Sequence, residues 1–129
     1  MEFKVAVKGL IVNQNKILLV KRSKKDEFNP GGITLPGGLV EFGEKPAEAM
    51  VREVQEETGL RISVGRVNTV WSFIDDKNNI QIVGITFVCK PLSKVITLSE
   101  ELLSFHWVNI DYPDVPKWFA KEIKALNIK

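Results

Sequence analysis

The stretch from Pro46 to Gly59 constrains this chain most, because its ends and its internal spacing admit one local structure. Pro46 suits a first helical turn, where its missing N–H costs nothing. Glu48 sits near the positive end of the helix dipole, and Gly59 supplies a left-handed stop. The spacing predicts a helix over Pro46–Thr58. At 100° per residue Ala47, Met50, Val51 and Val54 share one arc and form the expected core-facing stripe. Glu53, Glu56 and Glu57 occupy a different arc at spacings i, i+3 and i+4, so three carboxylates project together from the last turns. Like-charge pairs of this kind cost about 0.2 to 0.5 kcal/mol each. Glu56 and Glu57 also lie near the negative end of the dipole, where anions are disfavoured. Something outside the sequence must offset the repulsion. A hard divalent cation held by oxygen ligands is the simplest candidate, and a solvated acidic face is the plain alternative.

The rest of the chain supplies one core around this helix. A length of 129 residues fits a single domain spanning residues 1–129. Eighteen Lys and Arg against 16 Asp and Glu leave a net charge of +2, too small to make nucleic acid or an anionic membrane the main partner. No run approaches the roughly 18 to 20 apolar residues that span a bilayer. Cys89 is alone, so no internal disulfide can form, and its apolar surroundings mark it as a core residue. The expected location is the reducing cytoplasm.

Phe3 to Val12 and Ile17 to Val20 read as a β-hairpin about Asn13-Gln14-Asn15. Lys21 to Gly32 is a basic loop, followed by a short Ile33–Leu35 strand, a break at Pro36-Gly37-Gly38 and a short extended piece over Leu39–Phe42. Arg61–Ile74 and Ile80–Leu92 are long β-rich runs joined by a polar cluster, and Phe105–Val108 is a last short strand. A closing helix starts at Asp114-Val115-Pro116, with Trp118, Phe119, Ile123 and Leu126 as its apolar face. The mixture predicts an α/β-type (α+β) sandwich, a mixed β-sheet flanked by helices.

The residues around the acidic helix sharpen its meaning. From Gly38 the pattern runs G-x5-E-x7-R-E-V-x-E-E-x-G-L, ending at Leu60. Nine identities coincide over 23 positions, and the pattern resembles the Nudix box of the Nudix (MutT-like) hydrolases at every defined position. Outside residues 38–60 the resemblance is one of element order. It implies an α/β/α sandwich that uses Mg²⁺ or Mn²⁺ to cleave the diphosphate linkage of a nucleoside diphosphate joined to another moiety. A carboxylate cluster would repel such an anion unless cations bridge the two and activate the attacking water. By position in the motif Glu53, Glu56 and Glu57 would ligate metal. Gly37 and Gly38 would let backbone approach metal or phosphate closely. Arg52 would orient a neighbouring carboxylate, and Glu44 would tie the loop to the helix or reach metal through water. In many relatives the general base is a Glu on a loop before a Trp-containing strand. Here Glu101, or failing it Glu100, precedes Trp107, and a box Glu is the third alternative. His106 reads as structural or as an edge of the cleft.

Substrate selection is written less plainly. Lys21 and Arg22, with Lys24 and Lys25, are basic candidates for holding phosphates, against the alternative of a solvated loop. Trp71 and Phe73 alternate on one strand face and are candidates for stacking on a base, against ordinary core packing. ADP-ribose hydrolases typically carry a Pro some fifteen residues after the box, where this chain has Ile74-Asp75-Asp76, which lowers ADP-ribose without excluding it and leaves nucleoside triphosphates, oxidised or non-standard ones included, and nucleotide sugars open. A ligand sensor or metal-binding module on the same fold is the rival reading, and a homodimer stays open.

Overall fold

The structure, a computed structural model, describes residues 1–26, 29–111 and 117–127. In chain order the elements are β1 (Glu2–Asn13), β2 (Lys16–Arg22), β3 (Ile33–Thr34), β4 (Gly37–Leu39), α1 (Pro46–Thr58), β5 (Ile62–Asp75), β6 (Ile80–Pro91), β7 (Leu102–Asn109) and α2 (Lys117–Asn127). The strands form a seven-stranded mixed sheet of order β3-β2-β1-β6-β5, with β4 paired to β1 and β7 to β2. This is the α+β architecture expected from the sequence. The proposed start of the closing helix at Asp114-Val115-Pro116 lies outside the described residues.

The hairpin between β1 and β2 forms because Gln14 and Asn15 both accept positive φ, at 50° and 65°, which a two-residue turn between twisted strands requires. Only Val12↔Ile17 and Asn13↔Lys16 pair before the strands part. β1 then runs parallel to β6 from Glu2↔Ile80 to Ile11↔Cys89, and β2 runs antiparallel to β7. Side-chain alternation gives β1 two apolar faces. Val7 and Ile11 pack with Met50 and Val54 of α1, whereas Leu10 packs with Phe119 of α2. The helices therefore cover opposite faces. Burying Met50, Val54 and Phe119 contributes about 1.5 to 3 kcal/mol each.

α1 has the boundaries its sequence predicts. The Lys45 amide donates to the Glu48 carboxylate at 2.8 Å, and Gly59 closes the helix at φ 75° with its amide on the Gln55 carbonyl. Its buried face differs from the expected stripe. Ala47 and Val51 are exposed, and the buried residues are Ala49, Met50, Val54, Glu57 and Thr58. The helix is rotated towards its acidic arc because Glu57, although charged, finds a buried partner.

A second difference concerns Pro36-Gly37-Gly38. Gly37 and Gly38 do not break the chain; they belong to β4, with Val7↔Gly38 and Lys8↔Gly37 in register. Gly37 has φ 155°, and a Cβ there would collide with the Val7 carbonyl oxygen. Only glycine allows the two backbones this approach.

Candidate active site

A cleft of about 1070 Å³ opens on the α2 side of the sheet. Its sheet-side wall comes from β1, β5 and β6 through Ala6, Lys8, Trp71, Ile82 and Thr86. Glu53, Glu56 and Glu57 of α1 line one end, together with Gly37 and Gly38. Trp118, Lys121 and Glu122 of α2 line another part of the wall. The glycines explain how residues of α1 reach this cleft. A Cβ on Gly38 would occupy the space of the Glu53 carboxylate.

The acidic end is built from interlocked ion pairs. Arg22 of β2 and Glu57 form a buried salt bridge through Nη1 and Oε2, with 8 % and 2 % of their side chains exposed. Arg22 Nη2 also donates to the Gly37 carbonyl at 3.1 Å, and the Gly37 amide donates to Glu57 Oε1 at 3.0 Å. The β2 register shifts between Lys21 and Arg22, an irregularity of the kind that re-aims a side chain. Arg52 forms the second hub. It donates to both oxygens of Glu44 at 2.7 and 3.0 Å, to Glu53 at 2.9 Å, to Glu56 at 3.2 Å and to the Leu39 carbonyl at 3.1 Å.

The electrostatics follow these contacts. Hydrogen bonds from Arg52, aided by the Glu41 amide, hold Glu44 down at about 2. The Arg52 guanidinium is held more firmly protonated, first by Glu44. Glu53 is pushed up, mainly by burial and then by the charges of Glu57 and Glu56, against the hydrogen bond from Arg52. Three cationic groups, Arg22, Arg52 and Lys8, thus face five carboxylates, Glu41, Glu44, Glu53, Glu56 and Glu57, and the cluster is short of positive charge.

Of the residues singled out from the sequence, Glu53, Glu56, Glu57, Gly37, Gly38, Arg22, Trp71, Phe73 and Glu101 line the cleft. Arg52, Glu44, Lys21 and Glu100 are not among its lining residues. Arg52 and Glu44 stand behind it, joined to each other and to Glu53. Glu101 arrives because the segment before β7 is tied to the end of α1: the Thr97 amide donates to the Thr58 carbonyl and the Ser99 amide to the Glu57 carbonyl. Cys89 is buried, and its thiol is pushed up to about 12 by burial. His106 is exposed on β7, 3.3 Å from the Ser104 hydroxyl.

Lys8, Thr69, Thr86 and Glu122 also line the cleft and went unmarked in the sequence. Lys8 is pushed down to about 8 by burial and then by Arg22. A signal for Glu122 existed: it lies between Phe119 and Leu126 at spacings of three and four, on the apolar side of its helix.

Hard carboxylate and carbonyl oxygens with a deficit of positive charge suit a divalent cation of the Mg²⁺ type. Among the described residues, however, no three His, Cys, Asp or Glu side chains converge closely enough to hold an ion. Arg22 engages both Glu57 and the Gly37 carbonyl, two of the groups expected to ligate metal.

This fold and this box define a class, and comparison with known proteins agrees. The chain belongs to the NUDIX domain family, whose model matches residues 2–126. It is 46% identical over 84 residues to an ADP-ribose pyrophosphatase of Methanocaldococcus jannaschii, covering 65% of this chain and 48% of that protein. The chain thus matches about half the length of that relative. It is 34% identical over 109 residues to the nucleoside triphosphatase NudI of Escherichia fergusonii, covering 77% of each. The crystal structure of a MutT protein from Methanosarcina mazei superposes with a TM-score of 0.83 at 27% identity, covering 95% of this chain and 91% of that one. No helix among the described residues is long and apolar enough to cross a membrane.

Proposed function

We propose that the chain is one hydrolase domain over residues 1–129 that cleaves, with a divalent cation, the diphosphate linkage of a nucleotide. The observation that carries this reading is a single cleft holding the box carboxylates at one end and the Trp71–Phe73 aromatic pair on its wall. An acidic end alone would suit a cation store, and an aromatic wall alone would suit a ligand sensor. Their union suits a substrate with an anhydride and a base.

Glu53, Glu56, Glu57 and the Gly37 carbonyl would hold Mg²⁺ or Mn²⁺ once the three carboxylates draw together and Arg22 gives up its contacts with Glu57 and the Gly37 carbonyl. The bound cation would neutralise the diphosphate and lower the pKa of a water. Arg52 orients Glu53 and Glu56 through charge-assisted hydrogen bonds while keeping Glu44 ionised. Arg22 and Lys8 bring positive charge to the same end of the cleft, where phosphate oxygens would gather it. Glu101 is the base favoured by position, because it lines the cleft and Glu100 does not.

Among substrates the nucleoside triphosphates are favoured, since the likeness to a nucleoside triphosphatase extends over 77% of both chains. Nucleotide sugars and ADP-ribose form the second group, supported by the archaeal relative. A panel of nucleoside triphosphates, ADP-ribose and nucleotide sugars, incubated with Mg²⁺ or Mn²⁺, should release a nucleoside monophosphate from at least one member. No metal-dependent release from any of them would contradict the reading.

A further inference from the structure

The wall of the cleft against α2 contains a hydrogen-bonded relay that the diphosphate chemistry does not use. The Trp71 indole Nε1 donates to the Thr86 hydroxyl at 3.0 Å, and that hydroxyl donates to Glu122 Oε2 at 2.8 Å. The direction is forced. An indole N–H can only donate, so the Thr86 oxygen accepts it and spends its single proton on the carboxylate. Thr69 reaches Glu122 at 2.8 Å, and the Asn68 amide donates to it at 2.8 Å. Thr86 is fully buried and Glu122 is 7 % exposed.

Packing alone does not require this arrangement. A partly buried tryptophan needs one acceptor for its N–H, and a neutral hydroxyl satisfies that need. Here the hydroxyl is itself fixed by a buried carboxylate with two further donors, so the indole cannot turn without breaking a connected network. The ring is also seated from below: a Cβ on Gly84, its register partner on β6, would collide with the indole. Phe73 continues the surface, its ring 6.1 Å from that of Trp71 and inclined by 11°. The result is a flat aromatic shelf lining the cleft, of fixed height and tilt.

We infer that Glu122, acting through Thr86, is a positioning residue that holds Trp71 as the stacking platform for the substrate's nucleobase. The inference rests on the reading that this cleft takes a nucleotide, and it assigns the base to the shelf and the diphosphate to the box carboxylates. Stacking accepts any base, so the relay sets affinity for the nucleoside part and leaves phosphate binding alone.

The test is binding without turnover: calorimetric titration of the four nucleoside 5′-monophosphates and of inorganic pyrophosphate, with Mg²⁺ present. Thr86→Val, which keeps the shape and deletes the hydroxyl, should weaken the tightest monophosphate about tenfold and leave pyrophosphate unchanged. Thr86→Ser should restore most of that loss, and Glu122→Ala, which removes the acceptor of the Thr86 hydroxyl, should match Thr86→Val. In a Trp71→Phe background, where no indole N–H exists, Thr86→Val should have no further effect. The inference is overturned if no monophosphate binds the wild type, if Thr86→Val binds as wild type, if pyrophosphate weakens in parallel, or if the two substitutions add. A protein that binds monophosphates in this pattern yet hydrolyses nothing would sink the enzymatic reading and leave the shelf standing.

Discussion

Arg22 and Glu57 form a buried ion pair that joins strand β2 to the last turn of α1, and Arg22 also donates to the Gly37 carbonyl. Each is the other's reason for being inside. Removing one partner of such a pair leaves an uncompensated charge, at a cost of about 3 to 5 kcal/mol. Arg22→Met should therefore lower stability by that order in urea denaturation. Mg²⁺ should recover part of the loss, because a cation at Glu57 would replace the missing charge. Wild-type stability in Arg22→Met would show that the pair holds nothing in place.

The two glycines of β4 make opposite predictions. A Cβ on Gly37 meets backbone at Val7, which cannot yield, so Gly37→Ala should unfold or strongly destabilise the protein. The nearest atoms that a Cβ on Gly38 would meet belong to the end of the Glu53 side chain, which can move aside. Gly38→Ala should keep near wild-type melting and lose activity by about tenfold or more, as expected for a displaced ligand. Equal melting temperatures for both variants would contradict the packing described.

Lys8 gives a pH signature. Its folded pKa of about 8 lies below the ordinary lysine value of 10.5 expected of the unfolded chain. Between those values the unfolded state binds more protons, so this residue makes stability rise with pH from about 8 towards 10.5. Cys89, raised from 9.0 to about 12, acts in the opposite sense above pH 9. The difference between wild type and Lys8→Met cancels the cysteine and should isolate the rise. A flat difference across pH 8 to 10 would show that Lys8 is not desolvated.

For the base, the cleft separates neighbours. Glu101→Gln should lower kcat by about 10² while leaving KM nearly unchanged, and should remove the acidic limb of the pH–rate profile. Glu100→Gln should match wild type. Normal profiles in both variants would return the role to a carboxylate of α1.

Much of this architecture is legible in the sequence where local physics decides it. Pro46 and Gly59 delimit α1, and positive φ at Gln14 and Asn15 closes the first hairpin. The box carboxylates Glu53, Glu56 and Glu57 share one helix, so their common placement needs no tertiary knowledge. Errors enter where partners are distant. Ala47 and Val51 look like core only if Glu57 is assumed to face solvent, and its partner Arg22 lies 35 residues away. Gly37 and Gly38 look like a break until β1 is beside them. Glu122 meets Thr69 across 53 residues and Thr86 across 36, a separation that no local period encodes.

The central claim is that the acidic end of the cleft works only with a divalent cation. Hydrolysis of the best nucleotide should be followed in Mg²⁺, then in excess EDTA, then after Mg²⁺ is restored beyond the chelator. Turnover should fall to background and return in full. Undiminished turnover in EDTA would contradict the account, because five carboxylates facing three cationic side chains would then be handling a polyanion unaided.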